Sequence, residues 1–181
     1  MLNGAEPQPR GVPRRVLTVV SADLDTTTGA GAVWVVWRPR SAAAREHTAL
    51  LERHEGQWRS LGVASAPAEE PDDVDVIEVR GGGGTLCPTH RHDPPHSLAG
   101  APWISCATIH LGREVGRLLV GNRRIDAPEQ HRLVVAWMTT QAARGTRPLI
   151  VALGRDGTEL SRLGPHDSLD THTWARLRED L

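Results

Sequence analysis

The densest run of metal-capable side chains in the sequence is Cys87-Pro88-Thr89-His90-Arg91-His92-Asp93-Pro94-Pro95-His96, with Cys106, His110 and His131 further along. Imidazole and thiolate are the preferred ligands of Zn²⁺, and imidazole also suits other first-row divalent ions. In extended chain alternate side chains share a side, so His90 and His92 can face one ion together. His96 would complete a facial set, and His131 is the fourth candidate ligand. Cys87 and Cys106 admit two readings, a disulfide or a reduced pair. Without an export signal the reduced pair is favoured, with Cys106 in a strand core.

Gly84, the five residues 85–89, and His90 with His92 resemble the first motif of the cupin family, in which a glycine and five residues precede His-x-His and then a carboxylate. His96 stands where the carboxylate would be. Gly121, Pro128 and His131 are similar to the second cupin motif, whose internal glycine this chain lacks. The resemblance covers 84–131, a minority of the chain. It implies a metal site, for Zn²⁺ or another first-row divalent ion, at His90, His92, His96 and His131.

Composition offers a second account of the same histidines. All 21 basic side chains are arginine, Lys, Phe and Tyr are absent, and nine histidines fall in a chain so biased. A proline-rich surface loop in such a chain acquires several histidines with no ion to bind. Other catalytic patterns are thinner still. His166, Asp167 and Ser168 are neighbours in sequence, whereas a triad needs convergence in space, and no G-x-S-x-G elbow is present. The glycines at 81–84 precede no Lys-Ser/Thr pair and read as a flexible turn rather than a phosphate loop. Glu69, Glu70, Asp72 and Asp73 lack the alternating ligand spacing of a calcium loop.

Net charge is −1 and the isoelectric point is near 6.8, so no global field draws the chain to nucleic acid or an acidic membrane. No apolar run reaches the ~18 residues of a membrane span, and the first residues lack a signal-peptide core. A cytoplasmic protein is expected. Arg113, Arg117, Arg123 and Arg124 surround one expected hairpin. They form either an anion or partner site or the charged solvent face of an edge pair, where charge also suppresses sheet-to-sheet aggregation.

The elements that must position these groups are mostly strands. Residues 1–14 read as a disordered arm. Residues 15–63 form a β-meander, with apolar β-branched runs at 16–20 and 32–37. The stretch 41–56 is either a helix capped by Ser41 or a hairpin pairing 47–53 with 57–63, and the hairpin is favoured. An acidic, proline-containing connector follows at 64–73. Residues 74–165 read as an antiparallel β-sandwich carrying a long His/Pro-rich loop at 81–102. Alternation at 103–111 and the Gly121-Asn122 turn mark its strands. The pattern over 115–163 looks like the later strands of immunoglobulin-like sandwiches, without a diagnostic motif. The remainder, 166–181, is expected to be a short amphipathic helix capped by Asp170, with Trp174, Leu177 and Leu181 on one face. A single continuous domain over 15–181 is the alternative to two halves.

The expected protein is therefore a mainly β, non-enzymatic binding or assembly module. Protein partners or further copies of itself would be contacted at sheet edges and the 81–102 loop, with the arginine hairpin and Trp174 as candidate contact residues. A cupin-like metalloprotein is the alternative.

Overall fold

The computed structural model describes residues 11–68, 73–87 and 100–179. The protein is mainly β, with three antiparallel sheets and one C-terminal helix.

Sheet I is a meander of β1 (Leu17–Asp25), β2 (Ala30–Trp37), β3 (Arg45–His54) and β4 (Gln57–Pro67) in that order. The ambiguous stretch is a hairpin. Glu55 and Gly56 both take positive φ, 50° and 79°, between the paired residues His54 and Gln57, the geometry of a two-residue turn that follows strand twist. Ser41 lies in a tight turn instead of capping a helix, with its N–H donating to the Arg38 carbonyl at 2.9 Å. Pairing continues past the expected end of the meander, and the Ala68 N–H still donates to the Ala44 carbonyl at 3.0 Å. Residues 64–67 are therefore strand, although their composition suggested a connector.

Sheet II joins β5 (Ile77–Leu86), β6 (Pro102–Leu111) and β9 (Arg132–Thr140) in the order β5-β6-β9. Sheet III joins β7 (Val115–Val120), β8 (Arg123–Asp126), β10 (Ile150–Gly154) and β11 (Glu159–Leu163) in the order β11-β10-β7-β8. The glycines at 81–84 are part of β5 and pair with residues from Thr108 to Ser105. At two of the four positions glycine is needed for space. A Cβ at Gly82 would sit 2.7 Å from the Cys106 carbonyl oxygen, and one at Gly84 would sit 2.3 Å from Trp103 Nε1. A tryptophan from the neighbouring strand thus occupies the room that a side chain at 84 would fill.

Sheet II is the middle layer. Along β6 and β9, Ala107, Ile109, Leu133 and Val135 enter one buried cluster with Leu118, Ile150 and Leu163 of sheet III. Ile104, Cys106, Val134 and Ala136 enter a second cluster with Trp34, Val36 and Leu50 of sheet I. Alternate side chains point to opposite faces of a strand, so β6, packed on both sides, is buried from Ile104 to Leu111. Helix α1 (Thr171–Glu179) closes the described chain, and the Asp170 carboxylate accepts from the His172 and Thr173 N–H groups as its N-cap.

Candidate partner-binding face

Cross-strand partners share a face of a sheet, so the register of sheet I sorts its residues into two sets. The inward set contains Ala30, Ala32, Trp34, Val36 and Leu50, all buried. The outward set contains Leu24, Val33, Val35, Trp37, Ala49, Leu51, Trp58 and Val63, and none of these is buried. Gly31 confirms the sorting. A Cβ there would lie 2.9 Å from both Leu24 Cδ2 and Trp58 Cζ3 and 3.3 Å from Leu51 Cβ. Three strands therefore lay apolar side chains over one glycine on the side away from sheet II. An antiparallel sheet with one solvated face normally alternates apolar and polar residues. The β2 sequence Ala-Gly-Ala-Val-Trp-Val-Val-Trp does not alternate. It has the composition of a strand covered on both sides.

Beneath that face lies a polar network that fixes sheet I to the other layers. Among the described residues no strand pairs with the outer edge of β9, and side chains of the adjacent β1 supply its acceptors. Ser21 Oγ accepts from the Val134 N–H at 3.2 Å and Asp23 Oδ2 from the Ala136 N–H at 2.8 Å. Arg123 of sheet III grips the same Asp23 carboxylate and donates to the Ala136 carbonyl at 2.6 Å. Its Nε lies 3.8 Å from Asp25 Oδ2. Burial works to raise the Asp25 pKa, but hydrogen bonds from Thr28 and Thr27 and the Arg123 charge outweigh it and hold the carboxyl below its ordinary value. Further along, Glu46 accepts from Trp34 Nε1 at 3.1 Å and pairs with Arg132, whose guanidinium lies 4.3 Å from the Trp34 ring centroid. His110 stacks on that ring, with centroids 5.7 Å apart.

Of the metal candidates, His90, His92 and His96 lie outside the described residues. His131 sits in the turn entering β9 with a positive φ of 52°. Its backbone is bonded at both ends, the N–H to the Pro128 carbonyl and the carbonyl to the Leu111 N–H, while Nδ1 is buried with no hydrogen-bond partner. It lines a cleft of about 230 Å³ with Asp73, His110, Arg113, Gln130 and Arg132. The residues that flank the histidine-rich loop, Cys87 and Gly100, stand at the other end of β6, a strand length of roughly 30 Å away. Among the described residues, no three His, Cys, Asp or Glu side chains are grouped closely enough to hold a metal ion.

Both cysteines are free thiols. Burial, with the Glu52 carboxylate beside it, pushes Cys87 up to about 12, and burial pushes Cys106 up to about 11. Thiols so shifted are poor nucleophiles at neutral pH.

The hairpin arginines do not share a role. Arg123 is turned inward to Asp23, Arg117 pairs with Asp126 at 3.1 Å, Arg113 pairs with Asp73 at 3.3 Å, and Arg124 is exposed. Trp174 and Leu177 of α1 are both nearly half exposed. Comparison with family models, curated proteins and solved structures finds no match to this chain. The sequence did carry the signal for the sheet I face, in the unbroken apolar run of β2, but a run alone does not say which of its faces is covered.

Proposed function

We propose that the protein is a non-enzymatic β module that binds a protein partner through the outward face of sheet I. The observation that carries this is the set of apolar side chains that the register places on the face away from sheet II, among which Trp37 and Val63 are exposed and Leu24, Val33, Val35, Leu51 and Trp58 are partly exposed. Contiguous apolar surface open to solvent marks interaction sites, and Trp and Arg are enriched where partners meet. The other outward-facing sheet supplies the contrast. Sheet III is more mixed: its outward face sets Leu119, Val151 and Leu153 among Arg124 and the ion pairs Arg117–Asp126 and Arg162–Glu159.

The scaffold of this module is, on this proposal, immunoglobulin-like. Strands β5 to β11, taken as A, B, C, C′, E, F and G, give sheets A-B-E and G-F-C-C′, the order such sandwiches use when the fourth strand moves across. Sheet I is then an added layer on the A-B-E face.

A photo-crosslinking side chain placed at Val35, with one at Arg124 of sheet III as control, tests the reading in living cells. A discrete adduct from position 35 and none from 124 is expected. Equal labelling from both positions, or none from either, would overturn it.

A further inference from the structure

We infer that the partner of this face is a protein segment with an apolar ridge flanked by carboxylates, an amphipathic acidic helix. The inference rests on the docking reading above and adds the partner's chemistry. Four carboxylates lie in the strands of sheet I at Asp23, Asp25, Glu46 and Glu52, and all four fall in the inward set. Their register partners across β2 are the buried Ala32, Ala30, Val36 and again Ala30. The outward set holds only groups that carry positive charge or none. Arg45 and Arg53 stand at the two ends of β3, with His47 between them and Arg38 over the Trp37 ring at 5.9 Å.

These arginines are not neutralised within the described residues. Arg45 donates to the Ser65 hydroxyl at 3.1 Å and Arg53 to the Thr26 carbonyl at 3.4 Å, and neither meets a carboxylate within ion-pair distance. An apolar surface rimmed by unpaired cations selects a partner that returns negative charge at the rim. A second copy of this chain would bring arginine against arginine. Size points the same way. Four strands ~4.8 Å apart and about eight residues long give a flat footprint of roughly 500 Å², room for one helix about 10 Å across. A helix of ~18 residues is about 27 Å long, close to the strand length of the face.

The experiment titrates the full chain, followed by tryptophan fluorescence, with an 18-residue amphipathic peptide whose leucine ridge is flanked by glutamates. A lysine-flanked counterpart and phosphatidylserine-containing vesicles are the comparison probes. Binding of the glutamate peptide is expected, weakened about tenfold or more by Arg45→Glu with Arg53→Glu and by the lysine flanks. Both arginines are exposed, and an unchanged thermal transition of the double variant checks its fold. Equal binding of the two peptides would overturn the charge inference and leave the docking reading standing. Binding of neither peptide would overturn both. Preference for the vesicles, or a dimer that resists the charge reversal, would assign the face to lipid or to a second copy and overturn the inference.

Discussion

Arg123 on β8 and Asp23 on β1 form a bidentate ion pair, with Nη1 and Nη2 at 2.9 and 3.0 Å from the two carboxylate oxygens, across 100 residues of sequence. The same carboxylate caps the Ala136 N–H of β9. One side chain therefore connects all three sheets. Removing it takes from Arg123 its bidentate partner, leaving the Ala136 carbonyl and Asp25, and takes the acceptor from a strand-edge N–H.

Asp23→Ala should cost about 3 kcal/mol, the lower part of the range for breaking a buried pair, since Arg123 keeps some solvent contact. Asp23→Asn, which retains an acceptor for Ala136, should cost less. Urea unfolding at neutral pH measures both, and a loss under about 1 kcal/mol for the alanine variant would mean the three-way joint contributes little.

The carboxyl of Asp170 predicts an acid limb of stability. Burial acts to raise its pKa, but hydrogen bonds from Ser161, Thr173 and His172 overcome that and lower it. A group with a depressed folded pKa stabilises the fold above its unfolded value, ~3.9 for Asp, and that contribution disappears as pH falls through the folded value. Asp170→Asn should be less stable than the native chain at pH 7, with the difference shrinking below pH 4. A constant difference down to pH 2 would contradict the assignment.

Raised thiol pKa values predict slow chemistry at Cys87 and Cys106. With Cys87 near 12 and Cys106 near 11, almost no thiolate exists at pH 8. A disulfide-exchange reagent should titrate two thiols rapidly in denaturant and neither at a comparable rate in the native protein. Fast native labelling of Cys87 would show that its side chain is not enclosed beside Glu52.

The glycines of β5 predict opposite responses at neighbouring positions. Gly82→Ala drives a methyl to 2.7 Å from the Cys106 carbonyl oxygen, backbone that cannot rotate away, while Gly83 faces open space. Gly82→Ala should cost about 1–3 kcal/mol as overpacking, and Gly83→Ala should fall within about 0.5 kcal/mol of the native chain. Equal costs would argue against the strand register.

Much of this fold was legible in the residues. Alternation over 103–111, the Gly121-Asn122 turn and the Asp170 cap each depend on local chemistry, and each stands where that chemistry put it. The glycines at 81–84 misled because their strand is specified by Trp103, a residue nearly 20 positions away whose ring fills the missing volume. The candidate site was less legible for the same reason. That Arg123 turns inward while Arg124 faces solvent follows from pairing with Asp23, a long-range fact absent from any window of sequence. Likewise, the apolar run of β2 is visible to the eye, but only the register with β1 and β3 shows that Val33, Val35 and Trp37 form the uncovered side.

The unfolding free energy of Val35→Asp, set beside Val135→Asp on the doubly packed β9, tests the central claim most directly. If the outward face of sheet I is a surface held open for a partner, the charge at 35 should cost no more than about 1 kcal/mol, the span of strand propensity at a partly exposed position. The charge at 135 should unfold the protein or cost several kcal/mol, as an unpaired buried charge does. A loss of about 3 kcal/mol or more at Val35 would place that side chain in the protein's own core and contradict the docking account.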